Sequence, residues 1–449
     1  MPKHCLLTIA PKEMIMVPFQ NILKRSEAMN MQKLKTSALE ALHQGRDFVQ
    51  DLLVALLTGA ICGVVGSLFH LAVDWATEIR TEHRWLLYLL PAAGLLIATL
   101  YHYTKTNGIG TNSILNSIRK GDHIPLWLVP VIFVSTTITH LFGGSAGREG
   151  AALQIGGGIG FKLGKLLKLD ESDMRMVTLC GMSAVFAALF ATPLTATVFV
   201  LEVVAVGMIQ YSAFVPCLVA SMGAFGISKL FGLHTSHYAP VAYALDWVMF
   251  AKVALFAMIV AVASILLCEV LHNTEHAASR LLKNRFVRAA VGGVIIIAMT
   301  LALNTRDYNG AGGDIITLAL GGTVNSNWAF LWKLIFTAVT IGFGFKGGEI
   351  VPTFFIGATF GCVVGPMLGI PAELAAALGL VGMFCGVVNC PLASIFLSIE
   401  LFGAGAMPYF ALVCGITYML SGRFGLYTGS QIILYPKTKW EISRQELPM

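Results

Sequence analysis

The sequence has few charged residues for its length. Only 12% of its 449 residues are Asp, Glu, Lys or Arg, whereas 56% are hydrophobic. A soluble domain carries roughly 25% charged residues. The mean hydropathy is +0.75, and several apolar stretches approach the roughly 20 residues that a helix needs to cross a bilayer. The shortage of charge excludes an ordinary soluble protein and predicts an integral membrane protein whose solvent is the lipid bilayer.

Other signals are missing as well. The nine cysteines include no C-x-x-C pair, so we interpret them as small buried hydrophobes. The sequence has no signal-peptide order of basic, apolar and small residues. It also lacks the T-V-G-Y-G filter of potassium channels. We expect no cofactor and no metal.

The net charge of +6 does not indicate a nucleic-acid partner, because basic residues gather near the two ends of the chain and in connecting segments. This distribution is typical of the positive-inside rule and predicts that both termini lie in the cytosol. The terminal basic residues are Lys24, Arg25, Lys33, Lys35, Arg46, Lys437, Lys439 and Arg444.

The apolar segments predict an all-α membrane protein whose helices have uneven lengths. Several segments are broken by Gly or Pro, as in transporters built from half-helices. We expect a polar, irregular cytosolic segment over 1–50, a transport domain over 51–435 and a cytosolic tail over 436–449. The apolar segments cover 52–76, 85–103, 125–142, 176–204, 212–232, 248–271, 287–303, 328–343, 353–369, 373–386, 391–404 and 408–420.

An internal repeat divides the transport domain into halves near 51–235 and 245–435. Three glycines spaced four apart, beginning at Gly156, recur 201 residues later beginning at Gly357. Two Pro-Leu segments, beginning at Pro193 and 198 residues later at Pro391, each reach a glutamate nine residues on. These glutamates are Glu202 and Glu400. Repeats in transporters commonly place the substrate site at their interface near the membrane midplane.

In each half a glycine-rich turn precedes an apolar helix, at 147–150 and at 347–352. A helix N-terminus presents unpaired amides and the positive end of the helix dipole, which together bind anions. Two such ends, one from each half, predict a site for a small anion. Because the site lacks a full cationic charge, the ion is released quickly, as conduction requires.

Glu149 stands at the mouth of the first turn, among apolar residues. An ionisable group in such a place is functional by default. Its carboxylate is predicted to occupy an anion's place when ionised and to swing away when protonated, which would make it gate and proton carrier. The alternative is that Glu149 pairs with neighbouring Arg148 outside the pore.

The sequence resembles the CLC family of chloride channels and proton-coupled anion antiporters over nearly its whole length after residue 50. Residues 147–151, Gly-Arg-Glu-Gly-Ala, are similar to the family's G-R-E-G-P, and 347–352 to its G-x-F-x-P element. Residues 193–202 and the Leu426-Tyr427 pair resemble later landmarks. The resemblance implies the short form without regulatory cytosolic domains, an inverted repeat of tilted and broken transmembrane helices, and a homodimer with one pore per subunit.

The resemblance also implies the site residues. The Tyr427 hydroxyl is expected to help hold the central ion, and Glu149 and Glu202 are our candidates for a proton pathway. The expected anion-binding residues are Gly147, Arg148, Gly150, Glu349, Ile350, Tyr427, Gly108, Ile109, Gly110, Thr111 and Asn112.

Three departures distinguish this chain from the family pattern. Residues 108–112 read Gly-Ile-Gly-Thr-Asn where the family has G-S-G-I-P, so the serine hydroxyl is missing and Thr111 or Asn112 is the candidate substitute. The internal proton-transfer glutamate of the antiporters falls on Val203. Glu349 stands where the family has an apolar residue.

Together these departures are similar to the bacterial fluoride/proton branch of the family. We place chloride ahead of fluoride as the transported anion and leave both open. Loss of the glutamate at Val203 favours a channel, yet the fluoride branch lacks it and is coupled to protons, so channel and antiporter also stay open.

Rivals from other classes have weaker support. A membrane-embedded enzyme would need a cluster of catalytic or metal-binding side chains. The group Glu269, His272 and His276 has ligand spacing but reads better as a solvated helix end. His140 also lies at a segment end, where polar residues are ordinary. A transporter of organic solutes would carry more charged and aromatic recognition residues within its segments.

Overall fold

The computed structural model of the chain describes residues 13–207, 209–233, 238–239, 241–427 and 432–433. The helices of the first half are α1 Glu13–Glu82, α2 Leu90–Tyr103, α3 Thr111–Lys120, α4 Leu128–Leu141, α5 Glu149–Leu166, α6 Glu171–Phe190, α7 Pro193–Val203 and α8 Phe214–Leu230. Those of the second half are α9 Trp247–Leu281, α10 Arg285–Leu303, α11 Gly313–Leu320, α12 Ala329–Gly342, α13 Ile350–Met367, α14 Ala372–Val388, α15 Pro391–Phe402 and α16 Met407–Leu420. Two short strands, β1 Ala205–Val206 and β2 Ile432–Ile433, pair in parallel.

The helical membrane architecture is confirmed. Seven helices of the described residues are long and apolar enough to cross a membrane, and several others are shorter apolar helices of 10–17 residues. The predicted segment 176–204 divides into α6 and α7 because Ala191 adopts a left-handed conformation, with φ of 48°, and Pro193 opens the next helix. Asn389, with φ of 59°, makes the same break before α15.

The N-terminal region differs from the expectation of an irregular segment over 1–50. Helix α1 begins at Glu13 and runs without a break to Glu82. Residues 19–44 contain neither Gly nor Pro and are rich in Leu, Lys, Glu, Ala and Gln, all of which favour helix. The described residues up to Leu53 form one compact unit, and those from Val54 onward form another. The basic residues Lys437, Lys439 and Arg444 lie outside the described residues.

The apolar segments did not predict the short polar helix α3. Helix α3 begins at Thr111 and carries mainly polar residues. At its N-terminus, the Gly110 amide donates a hydrogen bond to the Ser113 hydroxyl at 3.4 Å. This helix matters because it brings the 108–112 turn toward the start of α5.

Glycine allows α5 to contact α6, and α13 to contact α14, at backbone distance. A Cβ atom on Gly156 would meet the backbone of Gly181, and one on Gly357 would meet the backbone of Gly379. Close packing of helices in lipid relies on such small residues. The two glycine series of the repeat therefore have the same structural role in both halves.

The repeat is also visible in two pairs of reciprocal contacts. The Glu202 carboxylate accepts from the amides of Leu392 at 3.2 Å and Ala393 at 2.9 Å, at the start of α15. The Glu400 carboxylate accepts from the amides of Leu194 at 3.0 Å and Thr195 at 2.8 Å, at the start of α7. Each half thus caps the proline-initiated helix of the other. Such caps satisfy amides that have no partner within the helix.

Replacing Glu400 with Ala is expected to destabilise the protein by roughly 1–3 kcal/mol, because two amides at the start of α7 and the Thr195 hydroxyl lose their acceptor. The apparent Tm of the purified protein in detergent should fall by a few degrees. Glu171→Ala is the matched control, since that side chain is 86% exposed. Equal apparent Tm values for the two variants would contradict the capping role.

Candidate functional site

The N-termini of α5 and α13 meet at the centre of the repeat. The Gly147 amide donates to the Gly348 carbonyl at 2.7 Å, and the Gly348 amide donates to the Gly147 carbonyl at 2.8 Å. These residues form an antiparallel bridge. Helix α5 begins at Glu149 and α13 at Ile350, so the structure brings together the two turns that the sequence pairs by its repeat.

The Glu149 side chain is fully buried within this junction. Its carboxylate fills space that a Cβ atom on Gly147 or Gly348 would occupy. It faces the amides of Arg148, Glu149 and Val351, but neither oxygen reaches hydrogen-bonding geometry with a described partner. A carboxyl group therefore lies among helix-end amides, in the position suited to a small anion.

Arg148 does not pair with Glu149. Its Nη1 atom lies 2.9 Å from Oδ1 of Asp74, and Oδ2 of Asp74 lies 2.9 Å from Nε2 of His70. The guanidinium is turned toward α1, and this overturns the alternative in which a local ion pair holds Glu149 outside the pore. Arg148 itself is the N-cap residue of α5.

The 108–112 turn contributes Thr111 to the same region. The Thr111 hydroxyl donates to the Gly150 carbonyl at 3.4 Å and accepts from the Gln154 amide at 3.3 Å. Of the two substitutes for the family's serine, Thr111 makes this contact, whereas Asn112 is exposed. Gly108 adopts φ of 77° with open space around it, and Gly110 is the N-cap of α3. Ile109 packs against the core.

Tyr427, from the C-terminal part of the chain, lies beside the same site. Its ring is buried, with 3% of the residue exposed, and its hydroxyl has no hydrogen-bond partner among the described residues. The hydroxyl is close enough to both Glu149 and Glu349 to interact electrostatically. The Leu426 amide, which donates to the Val387 carbonyl at 2.8 Å, fixes the chain just before it.

Glu349 is the residue before α13, just as Arg148 is the residue before α5. It lines a small crevice with Leu267 and Leu271 of α9 and Thr337 of α12. Lys346 and Glu275 lie near enough to interact with it electrostatically. Glu275 belongs to the distant helix α9, so sequence reasoning missed it, and it also missed Lys346, which is three residues before Glu349. The following residue, Ile350, is fully buried.

Glu202 and Val203, next to each other in the sequence, have different surroundings. Both Glu202 oxygens are engaged in the cap of α15, which gives this carboxylate a structural role. Val203 is fully buried. A part for Glu202 in proton transfer stays a prediction.

A cavity of about 630 Å³ borders the site through Arg148 and Val351. His140 also lines it, although the residue is fully buried, and its Nε2 atom lies 3.2 Å from the Gly147 carbonyl. The sequence presented His140 only as a polar residue at the end of an apolar segment. Its contact with the bridge glycine depends on the tertiary structure.

Residues 93–422 match the family described as voltage gated chloride channel. The chain belongs to the CLC family. It is 35% identical over 391 residues to a chloride/fluoride channel protein of Pseudomonas syringae pv. tomato, covering 85% of this chain and 86% of the relative. It is 25% identical over 404 residues to an H⁺/Cl⁻ exchange transporter of Vibrio vulnificus, covering 82% and 85%.

Solved CLC structures have the same fold. A crystal structure of a CLC-type fluoride/proton antiporter superposes with a TM-score of 0.83 at 31% identity, covering 86% of this chain and 98% of the other. A slow cyanobacterial Cl⁻/H⁺ antiporter gives a TM-score of 0.71 at 18% identity, covering 88% and 97%. This CLC protein is thus a multi-pass membrane transporter of small inorganic anions, and family membership excludes the enzyme alternative.

The bridge glycines provide a test of the Glu149 position. The three atoms nearest to a Cβ atom on Gly147 would all belong to the carboxylate end of Glu149, a flexible group. Gly147→Ala is therefore expected to push the carboxylate out of the helix-end amides. Anion efflux from liposomes at neutral pH should rise, with less dependence on pH.

Gly348→Ala should behave differently, because its Cβ atom would also lie 2.6 Å from the Gly150 amide nitrogen and 2.7 Å from that of Glu149. We expect it to disturb the bridge and lower the yield of folded protein. Gly415→Ala is the control, since no atom lies within 4 Å of its added Cβ. Efflux from Gly147→Ala equal to that of the control would contradict the placement of Glu149.

Proposed function

We propose that this CLC protein exchanges a halide for protons and that fluoride is its cargo, with chloride as the second candidate. The observation that carries the proposal is the Glu149 carboxylate, fully buried at the junction of two helix N-termini. A carboxylate in this position competes with an anion for the same amides. Binding of the anion and protonation of Glu149 are thereby linked.

The proposed cycle uses only groups at this junction. When Glu149 is ionised, its carboxylate occupies the place beside the amides of Arg148 and Val351, and the path is closed. Protonation removes the charge that the helix dipoles attract. The side chain then moves toward the cavity lined by Arg148 and Val351, and an anion takes its place. Each turn moves a proton and an anion in opposite directions.

The positions at which the chain departs from the family pattern support fluoride as the cargo. Ile109 stands where the family has its serine, the candidate substitute Thr111 contacts the start of α5, and Val203 replaces the internal glutamate. The relative at 35% identity is named a chloride/fluoride channel protein, whereas the H⁺/Cl⁻ exchange transporter is 25% identical. Fluoride is strongly hydrated and needs hydrogen-bond donors in exchange for its water. Chloride, favoured by the sequence alone, retains support from the same helix-end amides.

The proton pathway is proposed to rest on Glu149, with Glu202 and Glu349 as further candidates. Glu202 has both oxygens held by the α15 amides, which disfavours it as a carrier that must release and rebind a proton. Glu349 has Lys346 and Glu275 nearby. A carboxyl group with charged neighbours is better placed to exchange protons with the opposite side of the membrane.

We infer a homodimer in the cell membrane with both termini in the cytosol. Family resemblance supports the dimer and the bias of basic residues toward the chain ends supports the orientation. Crosslinking in native membranes and labelling of single cysteines placed at the termini test the two inferences separately.

The cargo is tested in liposomes loaded with fluoride or with chloride. Anion efflux and proton uptake are followed together, with an anion electrode and an internal pH dye. We expect fluoride efflux to be faster than chloride efflux and to drive protons inward against a proton gradient. Faster chloride efflux would reverse the choice of cargo, and efflux without uphill proton movement would make the protein a channel.

Glu149→Gln tests the gate in the same liposomes. The amide side chain is permanently neutral, so we expect anion efflux that is nearly independent of pH and no coupled proton movement. Glu171→Gln, at an exposed position, is the matched control and should behave as the parent. If Glu149→Gln kept the parent's pH response, the gating role would be wrong. Proton uptake that survives in Glu149→Ala would move the carrier to Glu202 or Glu349.

A further inference from the structure

The cavity beside the Glu149 junction is rich in arginine. Its volume is about 630 Å³, enough for several water molecules and an ion. Four guanidinium groups line it, together with two histidines and three carboxylates. These residues are Arg80, Arg84, Arg148, Arg306, His70, His140, Asp74, Asp307 and Asp314.

Among the described residues, Arg148 is the one arginine of the wall that forms an ion pair with a carboxylate. Asp74 is engaged by Arg148 and His70. The Asp307 carboxylate accepts from the Asn325 amide at 3.1 Å. Asp314 lies in the first turn of α11, where the helix dipole interacts with it. Within the part of the chain that the structure describes, no ion pair shorter than 4.0 Å involves Arg80, Arg84 or Arg306.

A buried lysine adds charge behind this wall. Lys333 of α12 is fully buried. Its Nζ atom donates to the carbonyls of Tyr308 at 3.2 Å and Gly310 at 2.6 Å, and lies 5.1 Å from the centre of the Phe355 ring. No carboxylate of the described residues lies within ion-pairing distance of this amine.

Arg80 reaches the same turn from α1. A Cβ atom on Gly310 would lie 2.7 Å from Nη2 of Arg80 and 3.0 Å from Nη1. Arg80 is close enough to Lys333 and to Arg306 to interact electrostatically with both. Its Nε atom is buried and has no hydrogen-bond partner in the described part of the chain. Three cationic side chains thus converge on the 306–310 turn.

Like charges in a partly desolvated wall repel each other, and burying them without a counter-ion is costly. We propose that Arg80 and Arg306, backed by Lys333, form a second anion-binding site in the cavity wall, apart from the helix-end amides at Glu149. The ligand is a small, partly hydrated inorganic anion of the halide type. It supplies the missing counter-charge.

This second site gives the anion a place to bind before it loses its remaining water. Guanidinium groups offer several donors in a fixed plane and are weakly hydrated, so they hold an ion that still keeps part of its shell. A positive cavity also raises the local anion concentration and the rate of arrival. The site at Glu149 then receives the ion over a short distance through the Arg148 end of the cavity.

Bromide tests the site by direct binding. Crystals of the full chain grown in bromide should show an anomalous peak beside Arg80 and Arg306. The peak should disappear in Arg80→Gln and persist in Arg80→Lys, which keeps the charge. Arg175→Gln, which removes a surface charge paired with Glu171, is the control and should keep the peak. No peak in the parent protein, or a peak unaffected in Arg80→Gln, would overturn the proposal.

Transport kinetics provide a second readout of the same variants. In Arg80→Gln the anion concentration that gives half-maximal efflux should rise roughly three- to tenfold, as expected for the loss of one charge-assisted contact open to water. The maximal rate should be nearly unchanged because Glu149 and its amides are intact. An unchanged half-maximal concentration would count against the site. Bromide bound without any coupled transport would refute only the proposed antiport.

Discussion

The two hydrogen bonds that Gly147 and Gly348 exchange are the constraint on which the rest of the structure depends. They join equivalent residues of the two halves, so each half completes the other at the point where two helices begin. A contact in which each residue repeats the other's role is characteristic of twofold symmetry. Because both residues are glycines, the space that their side chains would fill is left for the Glu149 carboxylate. The amides of both turns therefore converge on one small volume.

The distribution of charge follows from that geometry. At the junction itself the positive potential comes from amides and helix dipoles, which attract an anion without trapping it. Basic side chains stand farther out: Arg148 is held by Asp74, Arg80 lines the cavity, and Lys333 is buried behind its wall. A full charge at the junction would bind the ion too tightly for rapid release. In the transport cycle that we propose, the positive charge is largest in the cavity that collects anions and smallest at the junction through which they pass.

The reciprocal caps made by Glu202 and Glu400 extend the same symmetry to the two helices that begin with proline. Pro193 and Pro391 set the first turn of α7 and α15, but the next amides still need acceptors inside the membrane, where unsatisfied backbone is costly. A glutamate from the opposite half supplies them. A buried glutamate in a transporter is therefore not a proton carrier by default, and its hydrogen-bond partners decide between the two roles.

The sequence by itself determined the membrane class, the repeat, the two glycine-rich helix starts and the place of Glu149 at the first of them. Each of these rests on local composition or on spacing, which a chain carries without folding. The sequence did not predict the helix of residues 13–50 or the short helix α3, because neither contains a long apolar segment. Only the tertiary structure decided that Arg148 turns to Asp74, that His140 touches Gly147 and that Arg80 and Lys333 both approach Gly310. Most of these contacts join residues distant in sequence, and tertiary packing sets their geometry.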